Sequence, residues 1–147
     1  MTEESSGEGR AVPYAQARRE FDEFPLHKAL GLTMVEARPG FARIRMKTSA
    51  LTLGGVAGSV HGGLTAAMID IATLEALFGT FEPTTSTPAG TADLNITYMR
   101  PALGANIYAE ATVLRTGRQL AVTEVSILDE EGRLCAKGRT LYALRPK

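Results

Sequence analysis

Hydrophobic and polar residues alternate along the second half of the chain. Residues 91–99 show this most clearly, with apolar side chains at every second position: Ala92, Leu94, Ile96 and Tyr98. Such alternation is typical of a β-strand with one buried face. Similar segments at 107–115, 119–128 and 134–144 are separated by polar turns at 116–118 and 129–132. The pattern therefore predicts a run of antiparallel strands.

The first half predicts helix and then a hairpin. Residues 14–30 suit a helix in two pieces, because Pro25 disfavours helical geometry at the residue before it, and Gly31 is a typical helix stop. Residues 32–36 and 41–46 alternate as strands around the turn at 38–40. The Gly-rich segment 53–60 and the Thr- and Pro-rich segment 81–90 are predicted loops.

Between these loops, residues 64–78 predict one long helix that is apolar on nearly every side. Such a helix is normally enclosed by the rest of the fold. Five or six antiparallel strands enclose a single helix only if the sheet curls round it, which is an α+β arrangement. We expect one domain over residues 13–147, since the chain contains no repeat and no linker, and a disordered tail over 1–12, where Glu, Ser and Gly dominate.

Composition narrows the classes of function. The 16 basic and 16 acidic residues balance, so no charge pattern for nucleic acid or an anionic membrane is present. The single cysteine, Cys135, excludes an internal disulfide, and His27 and His61 without a third ligand predict no metal site. The acidic N-terminus lacks the features of a signal peptide, and no apolar run reaches membrane-spanning length, which predicts a cytoplasmic protein.

The most informative segment runs from His61 through Gly62 and Gly63 to Asp70. In an enclosed helix, the Asp70 carboxylate is expected either to have a raised pKa or to find hydrogen-bond donors. Its helical neighbours, Ala66, Ala67 and Thr73, are small, which indicates a cleft. The alternative is that Asp70 is an ordinary buried polar residue with satisfied hydrogen bonds and His61 an ordinary loop histidine.

The glycine pair favours a functional interpretation. Glycine at a helix start lets a ligand approach the backbone closely. The free N–H groups there, at the positive end of the helix dipole, favour developing negative charge. Gly62 and Asp70 therefore suggest an oxyanion hole and a carboxylate on one element.

Two separated motifs, His61 to Asp70 and Asp93 to Pro101, resemble those of the hotdog-fold acyl-CoA thioesterases. The similarity runs over residues 30–144 and is to the group that includes the phenylacetyl-CoA type and the mammalian medium- and long-chain acyl-CoA enzyme. It implies a hotdog fold, in which a curved antiparallel sheet wraps one long buried helix. It also implies hydrolysis of an acyl-CoA thioester to a carboxylic acid and free CoA.

The resemblance also implies roles for particular residues. Asp70 matches the nucleophile or general base, and the N–H of Gly62 matches the donor that polarises the thioester carbonyl. His61 matches a histidine that helps hold the site, and Thr91 stands where the mammalian enzyme has a Ser that orients water across the subunit boundary. Asp70 can serve either way, by attacking the thioester directly or by activating water.

One departure from the family concerns the glycine-rich loop. The mammalian enzyme has an Asn six residues before the histidine, where this chain has Gly55. Ser59 is a nearby candidate to replace that amide, and Gly63 is a further candidate for substrate binding. No cofactor is expected, since CoA belongs to the substrate.

Coenzyme A carries several phosphate charges, which basic residues at strand ends or turns are suited to bind. The candidates are Arg100, Arg115, Arg118, Lys137 and Arg139. The alternative for each is a solvated surface residue. The resemblance further implies a homodimer as the active unit, with an acyl tunnel between subunits, and association of dimers into a homotetramer.

Two other functions are weighed against the thioesterase. A hotdog dehydratase or hydratase uses a His with an acidic residue as its acid–base pair, and the long helix here has no such His. A non-catalytic acyl-CoA-binding hotdog module would bind the same ligand without releasing thiol. The identity of the acyl group is not determined by the sequence.

Overall fold

Six antiparallel strands form a single sheet in the computed structural model, which describes residues 14–147. The strands are β1 (Leu32–Arg38), β2 (Phe41–Lys47), β3 (Ser86–Tyr98), β4 (Asn106–Thr116), β5 (Leu120–Leu128) and β6 (Leu134–Pro146). Their order across the sheet is β1-β2-β4-β5-β6-β3. The predicted tail over residues 1–12 lies outside the described residues.

Three α-helices accompany the sheet: α1 (Tyr14–Glu23), α2 (Pro25–Leu30) and α3 (Gly62–Leu77). Pro25 separates the first two and Gly31 ends the second, as the sequence predicts. The hairpin of β1 and β2 is confirmed, and the loop between β2 and α3 holds one 3-10 turn at Val56–Gly58.

The helix α3 packs across one face of the sheet and contacts all six strands. Many of the sheet positions beneath it are alanines, which let the helix approach closely: Ala42, Ala109, Ala111, Ala121 and Ala136. Larger side chains such as Ile44, Ile107 and Val125 fill the remaining space and are fully buried. The α+β hotdog fold predicted from the sequence is confirmed.

The prediction that the long helix is enclosed on all sides is wrong for one chain by itself. Its buried positions, including Ile69, Ala72 and Ala76, lie on the side that faces the sheet. On the opposite side Asp70 is exposed, and Ile71 and Leu74 are only partly covered. Within residues 14–147 only the edge of β3 reaches this side, through Thr91, and the sheet otherwise packs against the other side.

The strand β3 also differs from its prediction. It begins at Ser86 and not at residue 91, because an edge strand tolerates a proline such as Pro88, whose missing N–H disturbs no neighbour. None of its residues is buried, although the alternation predicts one buried face. The reason is its position, since β3 pairs only with β6 and forms an edge of the sheet.

The other edge of the sheet is partly covered by α1. The Tyr14 hydroxyl donates to the Val35 carbonyl of β1 at 2.8 Å, and the Asp22 carboxylate accepts from the Met34 N–H at 2.9 Å. Such contacts satisfy the backbone groups of an edge strand and discourage further pairing. Within residues 14–147, β3 has no comparable cover.

Candidate active site

The start of α3 is organised by His61. As the N-cap residue, its imidazole Nδ1 accepts the Gly63 N–H at 3.0 Å. Its carbonyl accepts the N–H groups of Leu64 at 2.9 Å and Thr65 at 3.3 Å. The Gly62 N–H is the one donor of this first turn without an acceptor among the described residues. The predicted oxyanion donor is therefore free, whereas Gly63 uses its N–H in the cap.

The Gly62 carbonyl is held by two hydroxyl groups. Tyr98, the last residue of β3, donates to it at 2.6 Å, and Thr65 Oγ1 donates at 2.8 Å. A Cβ atom at Gly62 would lie 3.3 Å from Cε1 of the Tyr98 ring. The alternation of residues 91–99 predicts Tyr98 only as a strand residue, although it falls within the second family motif.

A pocket of about 530 Å³ opens beside this helix start. Its polar lining comes from Ser59, His61, Gly62, Thr65, Tyr98 and Arg100. Apolar side chains form most of the remainder: Val56, Val60, Met99, Pro101, Ala102, Cys135 and Ala136. Burial raises the pKa of the Cys135 thiol, so this sulfur stays protonated. The pocket suits an apolar group with a polar end near the Gly62 N–H.

The loop around Gly55 leaves no room for the asparagine side chain that the family has at this position. A Cβ atom at Gly55 would collide with Ser59 Oγ and lie 2.8 Å from the Val60 carbonyl oxygen. No side chain fits there without a shift of this loop. Ser59 is buried and lines the pocket, so its hydroxyl occupies the space next to Gly55.

The Asp70 carboxylate lies further along α3, where it accepts a hydrogen bond of 2.5 Å from Thr91 Oγ1 of β3. The structure thus brings together two predicted site residues that are 21 positions apart. The predicted burial of Asp70 is wrong for one chain by itself, since its side chain is exposed.

The Asp70 charge also affects a neighbouring tyrosine. Burial, and secondarily the Asp70 charge, raise the pKa of the nearby Tyr142.

The predicted residues therefore form two half-sites. The first contains His61, Gly62 and Gly63 with Tyr98, and the second contains Asp70 with Thr91. Eight residues of helix separate Gly62 from Asp70, which at 1.5 Å per residue is about 12 Å. Gly62 and Asp70 lie on one helix, as predicted, but this distance is too long for both groups of the same chain to act on one carbonyl.

The basic candidates are dispersed. Arg100 lines the pocket at the helix start, whereas Arg115 and Arg118 line a separate concavity at the turn between β4 and β5. Lys137 Nζ lies 2.9 Å from Ser126 Oγ and 3.3 Å from Glu124 Oε1. Arg139 is exposed on the side of β6 opposite α3, since its neighbours Gly138 and Thr140 are buried against the helix. Within one subunit, these residues do not form a single phosphate site.

A second carboxylate on α3, that of Glu75, is not among the site residues predicted from the sequence. Glu75 is partly covered, and burial raises its pKa from 4.5 to about 7. No hydrogen-bond or ion-pair partner is present for it among the described residues. The signal was available, since Glu75 is a charged residue within the apolar segment 64–78.

Glu75→Gln is expected to stabilise the protein at high pH. Burial raises the pKa of Glu75 in the folded state, so folding favours the protonated carboxyl. Below pH 4.5 the carboxyl is protonated in both the folded and the unfolded state, and burial of a charge costs no stability. As the pH rises to about 7, the folded state has to bury the charged form, and stability is lost. The full shift corresponds to at most about 3 kcal/mol of unfolding free energy. Denaturant unfolding at pH 4 and pH 8, at one protein concentration, measures the difference between wild type and variant.

The control for this prediction is Glu20→Gln, which alters an exposed carboxylate on α1. It should leave the pH dependence of unfolding unchanged. An equal loss of stability between pH 4 and pH 8 in wild type and Glu75→Gln would contradict the assignment to Glu75.

Two kinds of feature are absent from the described residues. Within residues 14–147, no group of three or more His, Cys, Asp or Glu side chains is arranged to hold a metal ion. Over the same residues, no helix is both long and apolar enough to cross a membrane.

Comparison with known proteins identifies the family. A family model described as the Thioesterase superfamily matches residues 57–136. Human acyl-coenzyme A thioesterase 13 is 39% identical over 110 residues, which cover 74% of this chain and 76% of the human protein. The medium/long-chain acyl-CoA thioesterase YigI of Escherichia coli is 30% identical over 130 residues, covering 80% of this chain and 84% of that protein. The crystal structure of zebrafish thioesterase superfamily member 2 is 26% identical, with a TM-score of 0.76 over 90% of this chain and 99% of that one.

The fold and these relatives define the class as a hotdog-fold thioester hydrolase. The chain belongs to the thioesterase superfamily, since the family model matches more than half of its residues and includes both His61 and Asp70. The predicted family is confirmed.

Proposed function

We propose that this protein hydrolyses an acyl-CoA thioester to a carboxylic acid and free CoA. The observation that carries the proposal is the free Gly62 N–H at the start of α3, beside a largely apolar pocket, in a family whose relatives are named acyl-CoA thioesterases. A thioester carbonyl develops negative charge on its oxygen during attack, and a preorganised N–H stabilises that charge.

Asp70 supplies the second requirement, which is an activated nucleophile. As general base, its carboxylate takes a proton from water while the water oxygen bonds to the thioester carbon. As nucleophile, it forms a mixed anhydride that water then cleaves. In either route the carbon–sulfur bond breaks and the CoA sulfur leaves as thiolate, which takes up a proton. The Thr91 hydroxyl orients the carboxylate through its 2.5 Å hydrogen bond.

The two half-sites require two subunits. Gly62 and Asp70 of one chain are about 12 Å apart along the helix, so we propose that the Asp70 of one subunit acts with the partner subunit's Gly62. The uncovered edge of β3 and the uncovered side of α3 lie next to each other in each chain, which supports a symmetric dimer through that region. A homotetramer and the cytoplasmic location stay predictions.

We assign the CoA part of the substrate to the polar residues of the pocket and to two arginines of the separate concavity at the turn between β4 and β5. Ser59 lines the pocket, and Gly63 lies in the first turn of α3 beside it. Arg100 is the basic residue of that pocket. Arg115 and Arg118 are proposed to contact nucleotide phosphates that extend beyond it. No separate cofactor is needed, because the reaction is a hydrolysis.

The experiment is thiol release from a panel of acyl-CoAs, from acetyl to palmitoyl, with phenylacetyl and benzoyl. The wild-type protein is expected to cleave a subset, which identifies the acyl class, and the medium/long-chain name of YigI favours the longer aliphatic members. Binding of acyl-CoA is measured in parallel by calorimetry. Binding without thiol release would contradict hydrolysis and favour the non-catalytic acyl-CoA-binding module.

A further inference from the structure

Tyr98 connects the end of β3 to the start of α3. Its phenol donates to the Gly62 carbonyl at 2.6 Å, across 36 positions of the chain. The other hydroxyl on this carbonyl, Thr65 Oγ1, comes from the same helical turn. Tyr98 therefore provides a long-range hydrogen bond to the first turn itself, in addition to the bond of 3.0 Å from the Val60 N–H, just before the helix, to the Ala102 carbonyl.

The Tyr98 ring also packs on the Gly62 backbone. A Cβ atom at Gly62 would approach the ring carbons to 3.3–3.4 Å, which places the ring at van der Waals distance from the glycine. Glycine has more backbone freedom than any other residue, and two glycines in succession begin this helix. Without an outside anchor, the first turn is the part of the helix that is most easily displaced.

We propose that Tyr98 is a positioning residue for thioester hydrolysis and acts through Gly62. This inference rests on the proposed function. The phenol binds the carbonyl and leaves the N–H of the same residue free, so it does not compete with the substrate oxygen. By fixing both the carbonyl and the Cα of Gly62, Tyr98 holds the N–H in the direction that the thioester oxygen requires.

Two other roles for Tyr98 make different kinetic predictions. The side chain is 54% exposed and lines the pocket, so direct contact with bound CoA is the first alternative. Loss of such a contact would mainly raise KM. The second alternative is a structural role alone, in which stability falls and kcat for the folded protein is unchanged.

The test compares Tyr98→Phe with Tyr14→Phe in the thiol-release assay. Tyr98→Phe is expected to lower kcat about tenfold at unchanged KM, because a small displacement of an oxyanion donor is costly. Tyr14→Phe removes a matching phenol–carbonyl hydrogen bond, 2.8 Å long, from α1 to Val35. It should lower the unfolding temperature to a similar extent and leave kcat unchanged. The half-exposed ring is retained in Tyr98→Phe, so this variant is expected to fold.

A double-mutant cycle with Gly62→Pro distinguishes positioning from direct action. Proline has no N–H, so in this background Tyr98 has no donor to orient, and Tyr98→Phe should cost nothing more in kcat. Full additivity of the two effects would overturn the inference, as would wild-type kcat or a change in KM alone in Tyr98→Phe. Absence of thiol release by the wild type would instead refute the proposed function, and this inference with it.

Discussion

Asp70→Asn is expected to lower kcat for thiol release by at least about 100-fold while the protein stays folded. An amide neither attacks a thioester nor accepts a proton from water at neutral pH. It keeps the shape of the carboxylate, and its oxygen still accepts the hydrogen bond from Thr91 Oγ1. Because the side chain is exposed in the subunit, the substitution leaves no buried group unpaired. Initial rates on the best acyl-CoA of the panel measure the effect, and calorimetry confirms that the variant still binds it.

Glu75→Gln is the matched control, since it converts the other carboxylate of α3 to an amide. Glu75 follows Asp70 by five residues, which turns it about 140° around the helix axis, away from Thr91. Its kcat should equal that of the wild type. Loss of activity in Glu75→Gln with retention in Asp70→Asn would transfer the catalytic role to Glu75, whose pKa of about 7 suits a general base.

Local sequence patterns predicted most of the fold. Pro25 and Gly31 mark the boundaries of the first helices, and period-two alternation predicts β4, β5 and β6 closely. These features depend on neighbouring residues, so one sequence contains them. The family and fold followed from two motifs in the correct order, His61 to Asp70 and Asp93 to Pro101.

The incorrect predictions concern the burial of β3 and α3, which the sequence of one chain does not determine by itself. Alternation in β3 and the apolar sides of α3 indicate which side chains require cover, but not whether the cover comes from the same chain. In the single subunit β3 is an edge strand and Asp70 is exposed. Both observations agree with a proposed interface at this place, where a second copy would provide the cover.

The roles of the candidate site residues stay predictions, and the sequence does not specify their arrangement. Gly62 and Asp70 follow from the glycine pair and the apolar helix, Thr91 follows from the resemblance, and Thr91 lies against Asp70. The contact of Tyr98 with Gly62 spans 36 positions, so no local pattern reveals it. The apolar pattern of residues 64–78 predicts no role for Glu75.

Gly62→Pro is expected to lower kcat by about 100- to 1000-fold, because it removes the N–H that is proposed to stabilise the oxyanion. Gly62 is the first residue of α3, the helical position that proline favours. The preceding residue, His61, has φ −54° and ψ 132°, which is the extended geometry required before proline. The helix should therefore form normally, and circular dichroism with thermal unfolding checks this.

Gly62→Ala is the control that isolates the N–H. Alanine introduces the same Cβ contact with the Tyr98 ring, at 3.3 Å, but keeps the backbone donor. It should lose far less activity than the proline variant. Equal losses in the two variants would show that crowding against Tyr98, and not the missing donor, is responsible.

Mixing the two inactive variants tests whether each site draws on two chains. Asp70→Asn and Gly62→Pro chains, unfolded together in equal amounts and refolded, are expected to recover about a quarter of wild-type activity. About half of the dimers are then mixed, and each mixed dimer contains one site with an unaltered Asp70 from one chain and an unaltered Gly62 from the other. Each variant refolded alone should stay inactive. If both half-sites came from the same chain, every site in the mixture would carry one of the two substitutions, and no activity would return.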